Sequence, residues 1–174
     1  MSLLKYFKKS LAVKIIALIV VTNIPIIGIF NFLILPEIED NYYESRRAEL
    51  KTAVETAYST LANYSKKEKN GLLNREEAIN QAIEDINSIR YGNNDYYFVY
   101  DYDGVLMASG RTPEARGQNW IDKEDKLGNK YIKMMVDVAK STGKGYVTYY
   151  FPKLGSDIPL PKESYTIAFP EWNC

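Results

Sequence analysis

The chain has no histidine and only one cysteine, Cys174. Without histidine, the side chain that ordinarily switches charge near neutrality is missing, and so is the commonest metal ligand. No Ser-His-Asp or Cys-His set can be assembled, so nucleophilic catalysis of that kind is excluded and an enzyme is not expected. A lone cysteine excludes an internal disulfide and a thiolate cluster. Cys174 has no basic cluster beside it to lower its pKa, so a reactive thiol is a poor reading of it. Charge of neither sign is in excess, with 22 Lys and Arg against 22 Asp and Glu. Nucleic acid is therefore not the expected partner, because no surplus of cations is available to neutralise phosphates. Acids are also missing locally: none precedes Glu37, whereas Lys5, Lys8, Lys9 and Lys14 do.

One long apolar run is present. Residues 15–35 read IIALIVVTNIPIIGIFNFLIL and carry no charge. About 20 such residues suffice for a helix to cross the hydrocarbon core. Thr22, Asn23, Pro25 and Asn31 interrupt the run, but membrane helices tolerate such residues. The lysines before it place residues 1–14 in the cytoplasm and all that follows outside, by the positive-inside rule. A cleaved signal peptide is the alternative, weakened by the length of the run and by the lack of a small-x-small site after it. A membrane anchor with a single pass is the expectation.

Residues 37–70 contain neither Pro nor Gly. Leu50, Val54, Ala57, Leu61 and Tyr64 recur at three- and four-residue steps, which predicts one long helix over 36–70, a stalk against which a smaller domain packs. Asn74 followed by Glu77 is a capping-box start for a second helix, with Ile79, Ala82, Ile83, Ile86 and Ile89 as its apolar stripe. The loop YGNND follows. DYYFVYDYDGVLMAS then reads as a hairpin around Asp103 and Gly104. RTPEARGQNWIDKEDKLGNK is a crossover too long for a simple connection. A third helix is predicted over 129–141, with Gly143 as its C-cap. GYVTYYF is a strand, PKLGSDIPLPKE a turn, and SYTIAF a last strand. This order predicts an α+β domain over 71–174, a PAS-like antiparallel sheet with helices on one face.

Fifteen tyrosines are a strong bias for so short a chain. Tyr joins an apolar ring to one polar tip, which suits sheet packing and pocket walls alike. DYDG lacks the later oxygen ligands of a calcium loop, and STGKG lacks phosphate-loop spacing, so neither a metal nor a cofactor is expected. Arg90 at a helix end, Lys162 at the start of the last strand, Tyr149 and Tyr165 on strands, and Trp120 in the crossover together suit a pocket for a small carboxylate. Cations neutralise it, phenols donate to it and rings cover its apolar part. The alternative is that each is structural: a solvated helix end, a loop charge and sheet packing.

Four stretches carry a resemblance: IRYGNNDYYFVYDYDGVLMAS, PEARGQNWID, GNKYIKMMVDVAKSTGKGYVTYYFPK and PLPKESYTIAFPEW. In this order they resemble the single Cache sensor domain of the second type, found in bacterial methyl-accepting chemotaxis proteins, over about residues 37–172. The resemblance implies an extracytoplasmic sensor of small organic acids, dimeric through its stalk helices. It implies Arg90, Tyr96, Phe98, Tyr149, Lys162 and Tyr165 as pocket positions. Trp120 stands where the family usually has an aliphatic residue. Ser109 and Gly110 stand where it commonly has His-Pro or His-Gly, so the usual imidazole contact is absent and ligand choice is open at Ser109. The family continues past FPEW with a further strand, a second membrane helix and a signalling region. The expectation is therefore a sensor whose final strand is missing and whose output lies elsewhere. The same module in a histidine kinase or diguanylate cyclase, or a stand-alone anchored binding protein, remains open.

Overall fold

The computed structural model describes residues 11–174. The first ten residues, including Lys5, Lys8 and Lys9 on which the orientation expectation rests, lie outside the described residues. Helix α1 (Leu11–Ile29) passes through a π turn, Phe30–Ile34, into helix α2 (Leu35–Lys69). No residue of α1 is buried. Its polar residues bond to its own backbone: Thr22 Oγ1 donates to Leu18 O at 2.9 Å and Asn23 Nδ2 to Ile19 O at 2.7 Å. Asn31 Nδ2 does the same to Ile27 O at 2.8 Å. Satisfying these groups within the helix is what lets an apolar span carry them. By length and composition, one segment of this helical stretch is apolar enough to cross a membrane.

The chain divides after Arg46 into two units. In the second, α2 buries Ala57, Leu61 and Ser65. Helix α3 (Arg75–Ser88) begins with the expected capping box. Asn74 Oδ1 accepts from Glu77 N at 2.9 Å, and Glu77 Oε2 accepts from Asn74 N at 2.9 Å. Ala78, Ala82, Ile83 and Ile86 form its buried face. They share one core with Ala57, Leu61, Tyr97, Ala108, Phe169, Trp172 and Cys174.

The strands of the described residues pair as three separate two-stranded antiparallel ladders. β1 (Arg90–Tyr91) pairs with β2 (Asp95–Tyr96), so YGNND is a tight turn inside a small hairpin, with Gly92 and Asn94 at positive φ. β3 (Phe98–Tyr100) pairs with β4 (Leu106–Ser109) across the DYDG turn. There the Asp101 carboxylate accepts from Asp103 N and Val105 N at 3.0 and 2.8 Å, an Asx turn. Helix α4 (Tyr131–Thr142) starts two residues later than expected and ends at Gly143, whose φ of 77° makes it the left-handed C-cap. β5 (Lys144–Pro152) pairs with β6 (Pro159–Ile167) along its whole length.

Two boundaries in this region differ from the sequence reading. LPKE belongs to β6, not to the preceding turn, because Pro159 and Pro161 are tolerated on a strand that is paired on one side. Phe169 leaves the strand, and Pro170–Trp172 turn as a 3-10 helix, with Phe169 N donating to Cys174 O at 2.6 Å. Burial, then the nearby Asp101 and Glu171 charges, push the Cys174 thiol up to about 12, so it stays protonated as a core residue.

Because Ile86 is almost fully buried in the core and Asn74 closes the capping box, Ile86→Ala should cost about 2–5 kcal/mol and Asn74→Ala about 1 kcal/mol. Urea unfolding followed by circular dichroism checks both values.

Candidate ligand-binding site

A second, smaller core joins α4 to β5: Tyr131, Ile132 and Met135 pack on Val147 and Tyr149. The Tyr131 and Tyr149 rings stack with centroids 4.9 Å apart and planes 7° from parallel. Beside this stack lies a cavity of about 120 Å³. One buried water needs only about 10–15 Å³, so the space suits several waters or a ligand of a few heavy atoms. Its walls are aromatic: Tyr96, Phe98, Tyr100, Trp120, Tyr131, Tyr149 and Phe151. Ile132, Ser109, Arg111, Thr112 and Lys123 complete the lining.

Cations gather around these rings. Arg111 is half-buried, lies 5.0 Å from the Phe151 centroid and donates from Nη1 to Pro152 O at 2.6 Å. Lys162 Nζ donates to Tyr96 Oη at 3.2 Å and stands 5.5 Å from the same Phe151 ring. Lys123 Nζ sits 3.5 Å from the Trp120 centroid, and partial burial lowers its pKa. Each ring face is an electronegative surface that holds a cation where water is scarce. The hydroxyls differ in how they are used. Tyr149 Oη shares a hydrogen bond of 3.0 Å with Ser164 Oγ across the β5–β6 ladder. Tyr131 Oη is buried and has no hydrogen-bond partner among the described residues. Burial first, then Tyr96 and Asp125, raise the Tyr131 pKa to about 12, so the group is a donor at neutral pH. An unused buried donor costs about 1–3 kcal/mol.

The loop over the cavity is tied down by Asp125. Its carboxylate accepts from Leu127 N, Asn129 N, Asn129 Nδ2 and Tyr150 N at 2.8–3.1 Å. Burial alone would raise its pKa, but these four donors outweigh it and hold the carboxyl at about 2. Ser109 Oγ accepts from Thr112 N and meets Thr112 Oγ1 at 3.1 Å. No group of three or more His, Cys, Asp or Glu side chains among the described residues is arranged to hold a metal.

Of the residues named from sequence, Tyr96, Phe98, Ser109, Trp120 and Tyr149 line this cavity, and Lys162 reaches it through Tyr96. Arg90 does not line it. Its guanidinium donates to the carbonyls of Asn87, Ile89 and Gly110 at 2.7–2.8 Å, closing the end of α3 onto β4. Tyr165 sits against Tyr146, with centroids 4.6 Å apart and planes tilted by 53°, and lines an apolar cleft that shares Tyr96, Phe98 and Tyr100 with the cavity. The other lining residues, Tyr100, Arg111, Thr112, Lys123, Tyr131, Ile132 and Phe151, were not named from sequence. Arg111 lies directly after the Ser109-Gly110 pair, the one local signal that would have drawn attention to it.

A family model described as Single Cache domain 2 matches residues 43–174. The chain belongs to the Single Cache domain 2 family. Among its relatives, the methyl-accepting chemotaxis protein McpP of Pseudomonas putida is 29% identical over 155 residues, 89% of this chain and 28% of that protein. The sensor histidine kinase MctS of Rhizobium johnstonii is 29% identical over 135 residues, 78% of this chain and 28% of that one. This Cache chain thus spans about a quarter to a third of the length of these curated relatives. A solved Cache chemosensory domain, described as a structural basis for carboxylic acid recognition, is 32% identical. It superposes with a TM-score of 0.73 over 77% of this chain and 91% of that domain.

The Asp125 anchor has a signed pH consequence. Its carboxyl is depressed from an ordinary 3.8 to about 2, so its contribution is present above pH 3.8 and is lost as pH falls through about 2. Amide exchange at Leu127, Asn129 and Tyr150 should therefore stay protected at pH 4 and lose protection toward pH 2. Asp125→Asn should abolish that pH dependence.

Proposed function

We propose that this chain is the extracytoplasmic ligand-sensing region of a membrane chemoreceptor, and that it binds a small organic acid without catalysing any reaction. The observation that carries the reading is the buried Tyr131 hydroxyl, a donor with no partner among the described residues, in a cavity that also holds Arg111. A carboxylate fits this set. Arg111 supplies charge and parallel N–H donors, Tyr131 supplies the hydroxyl, and Lys162 adds a second positive charge behind Tyr96. The small volume favours an acid of few carbons. The carboxylic acid recognition described for the 32% identical domain supports the same class.

The organisation that accompanies this reading places residues 1–14 in the cytoplasm and 15–35 across the membrane. Residues 36–70 form a stalk that pairs with a second copy, and 71–174 form the sensor. Ile38, Tyr42 and Tyr43 on α2 are more than half exposed, which supports a partner for that helix. β6 offers a route for the signal. Lys162 serves the cavity, while the adjacent Glu163 takes a bidentate ion pair of 2.7–3.2 Å from Arg47 on α2. Successive residues of a strand face opposite sides, so a ligand pulling on Lys162 also loads the Glu163–Arg47 link. A ligand shifts that link only by its differential affinity for two positions of the helix. A second reading, the sensor of a histidine kinase, is favoured by the match to MctS. It shares this binding site and differs in the output of the intact protein.

Isothermal titration of the chain in detergent micelles with acetate, propionate, pyruvate and lactate tests the reading. At least one should bind. Arg111→Ala should weaken it by about 2 kcal/mol or more, and Tyr131→Phe by about 1.5–3 kcal/mol, the worth of a hydrogen bond to a charged group. Binding of none of the four, or unchanged affinity in both variants, overturns the proposal.

A further inference from the structure

Trp120 is held more firmly than a loop side chain has reason to be. Its Nε1 donates to Gln118 Oε1 at 3.0 Å, and its ring leans on Tyr100 with centroids 6.1 Å apart. Its backbone N–H donates to Gly104 O at 2.8 Å, and its carbonyl accepts from Lys123 N at 2.9 Å. Lys123 Nζ then returns to the ring at 3.5 Å from its centroid. The backbone around it is equally constrained. Gly104 has φ +81°, and a Cβ there would stand 2.6 Å from Ile121 Cβ and 2.9 Å from Ile121 Cα. Asn119 Nδ2 donates to Asp103 O, and Asn119 Oδ1 accepts from Ile121 N, both at 2.9 Å. The DYDG turn and the crossover loop therefore meet without slack at the residue next to Trp120.

We propose that Trp120 is the specificity-determining wall of the cavity, limiting the carbon chain length of the acid, and that Lys123 is a positioning residue that holds its indole there. This rests on the carboxylate reading above. Arg111 and Lys162 both lie within 5.5 Å of the Phe151 centroid, which marks the carboxylate end of the cavity. Trp120 lines the same cavity and neighbours Tyr100, and on this proposal the alkyl part of a ligand anchored at Phe151 lies against its indole. A well-packed indole cannot yield to added methylenes without leaving its rotamer, so rejection is steric and sharp. The exposed Lys123 acts from the ring face: the cation–π contact fixes the indole plane, and a flexible apolar side chain at 123 would not.

The test is calorimetry on the full chain in micelles with straight-chain acids from acetate to hexanoate. The wild type should bind the shortest members and reject pentanoate and hexanoate. Trp120→Ala should admit the longer acids, gaining about fourfold in affinity per added methylene. Trp120→Leu, which keeps a smaller apolar wall, should shift the limit by fewer carbons and guards against misfolding of the alanine variant. Lys123→Met should relax the limit, and Lys123→Arg should keep the wild-type limit. A wild type that binds acetate together with Trp120 variants that keep its chain-length profile overturns this inference alone. A wild type that binds pyruvate or lactate but none of the straight-chain acids overturns this inference alone, and one that binds none of either set overturns the carboxylate reading with it.

Discussion

Much of this molecule rests on two tyrosine rings lying flat on each other. Tyr131 is the first residue of α4 and Tyr149 sits in the middle of β5. Their parallel stack, at 4.9 Å, presses the start of the helix onto the strand and buries both rings. The two hydroxyls then meet different fates. Ser164, from the neighbouring strand, partners Tyr149. Nothing among the described residues partners Tyr131. A buried hydroxyl left without a partner costs a domain about 1–3 kcal/mol.

Positive charge in this cavity is carried by Arg and Lys alone, since the chain has no histidine. Arg111, Lys162 and Lys123 each sit against an aromatic ring, Phe151, Tyr96 and Trp120 respectively. The abundance of tyrosine and other aromatics thus has two physical uses: the rings fill the core, and their faces hold cations beside the cavity. The pleat of β6 adds a third relation. Of the consecutive residues Lys162 and Glu163, the first donates to Tyr96, which lines the cavity, and the second pairs with Arg47 on α2.

The elements that read clearly in sequence were those written in local chemistry. The Asn74–Glu77 capping box, the left-handed Gly143 and the Asp103-Gly104 turn each act within a few residues, and each appears where expected. Other features depend on two segments weighed together. Pro159 and Pro161 looked like a turn, but Tyr150 and Pro152 on β5 pair with them along a ladder that only the folded chain supplies. Arg90 looked like a pocket cation because it ends a helix before the strands. It spends its donors on the carbonyls of Asn87, Ile89 and Gly110, the last of them twenty residues away. Arg111 and Tyr131 looked like ordinary residues of a loop and a helix start.

What the sequence determined by itself was class and exclusion. Its composition ruled out histidine chemistry and disulfides, one uncharged run marked a membrane-length helix, and the order of periodic segments gave an α+β domain. Those are properties of composition and near neighbours, which the chain carries before it folds. Which cations face the cavity, which tyrosine is left without an acceptor, and how Trp120 is pinned between the DYDG turn and Lys123 were decided only by tertiary structure. Each depends on groups far apart in sequence arriving within a few ångströms, and on whether a competing backbone carbonyl claims the donor first.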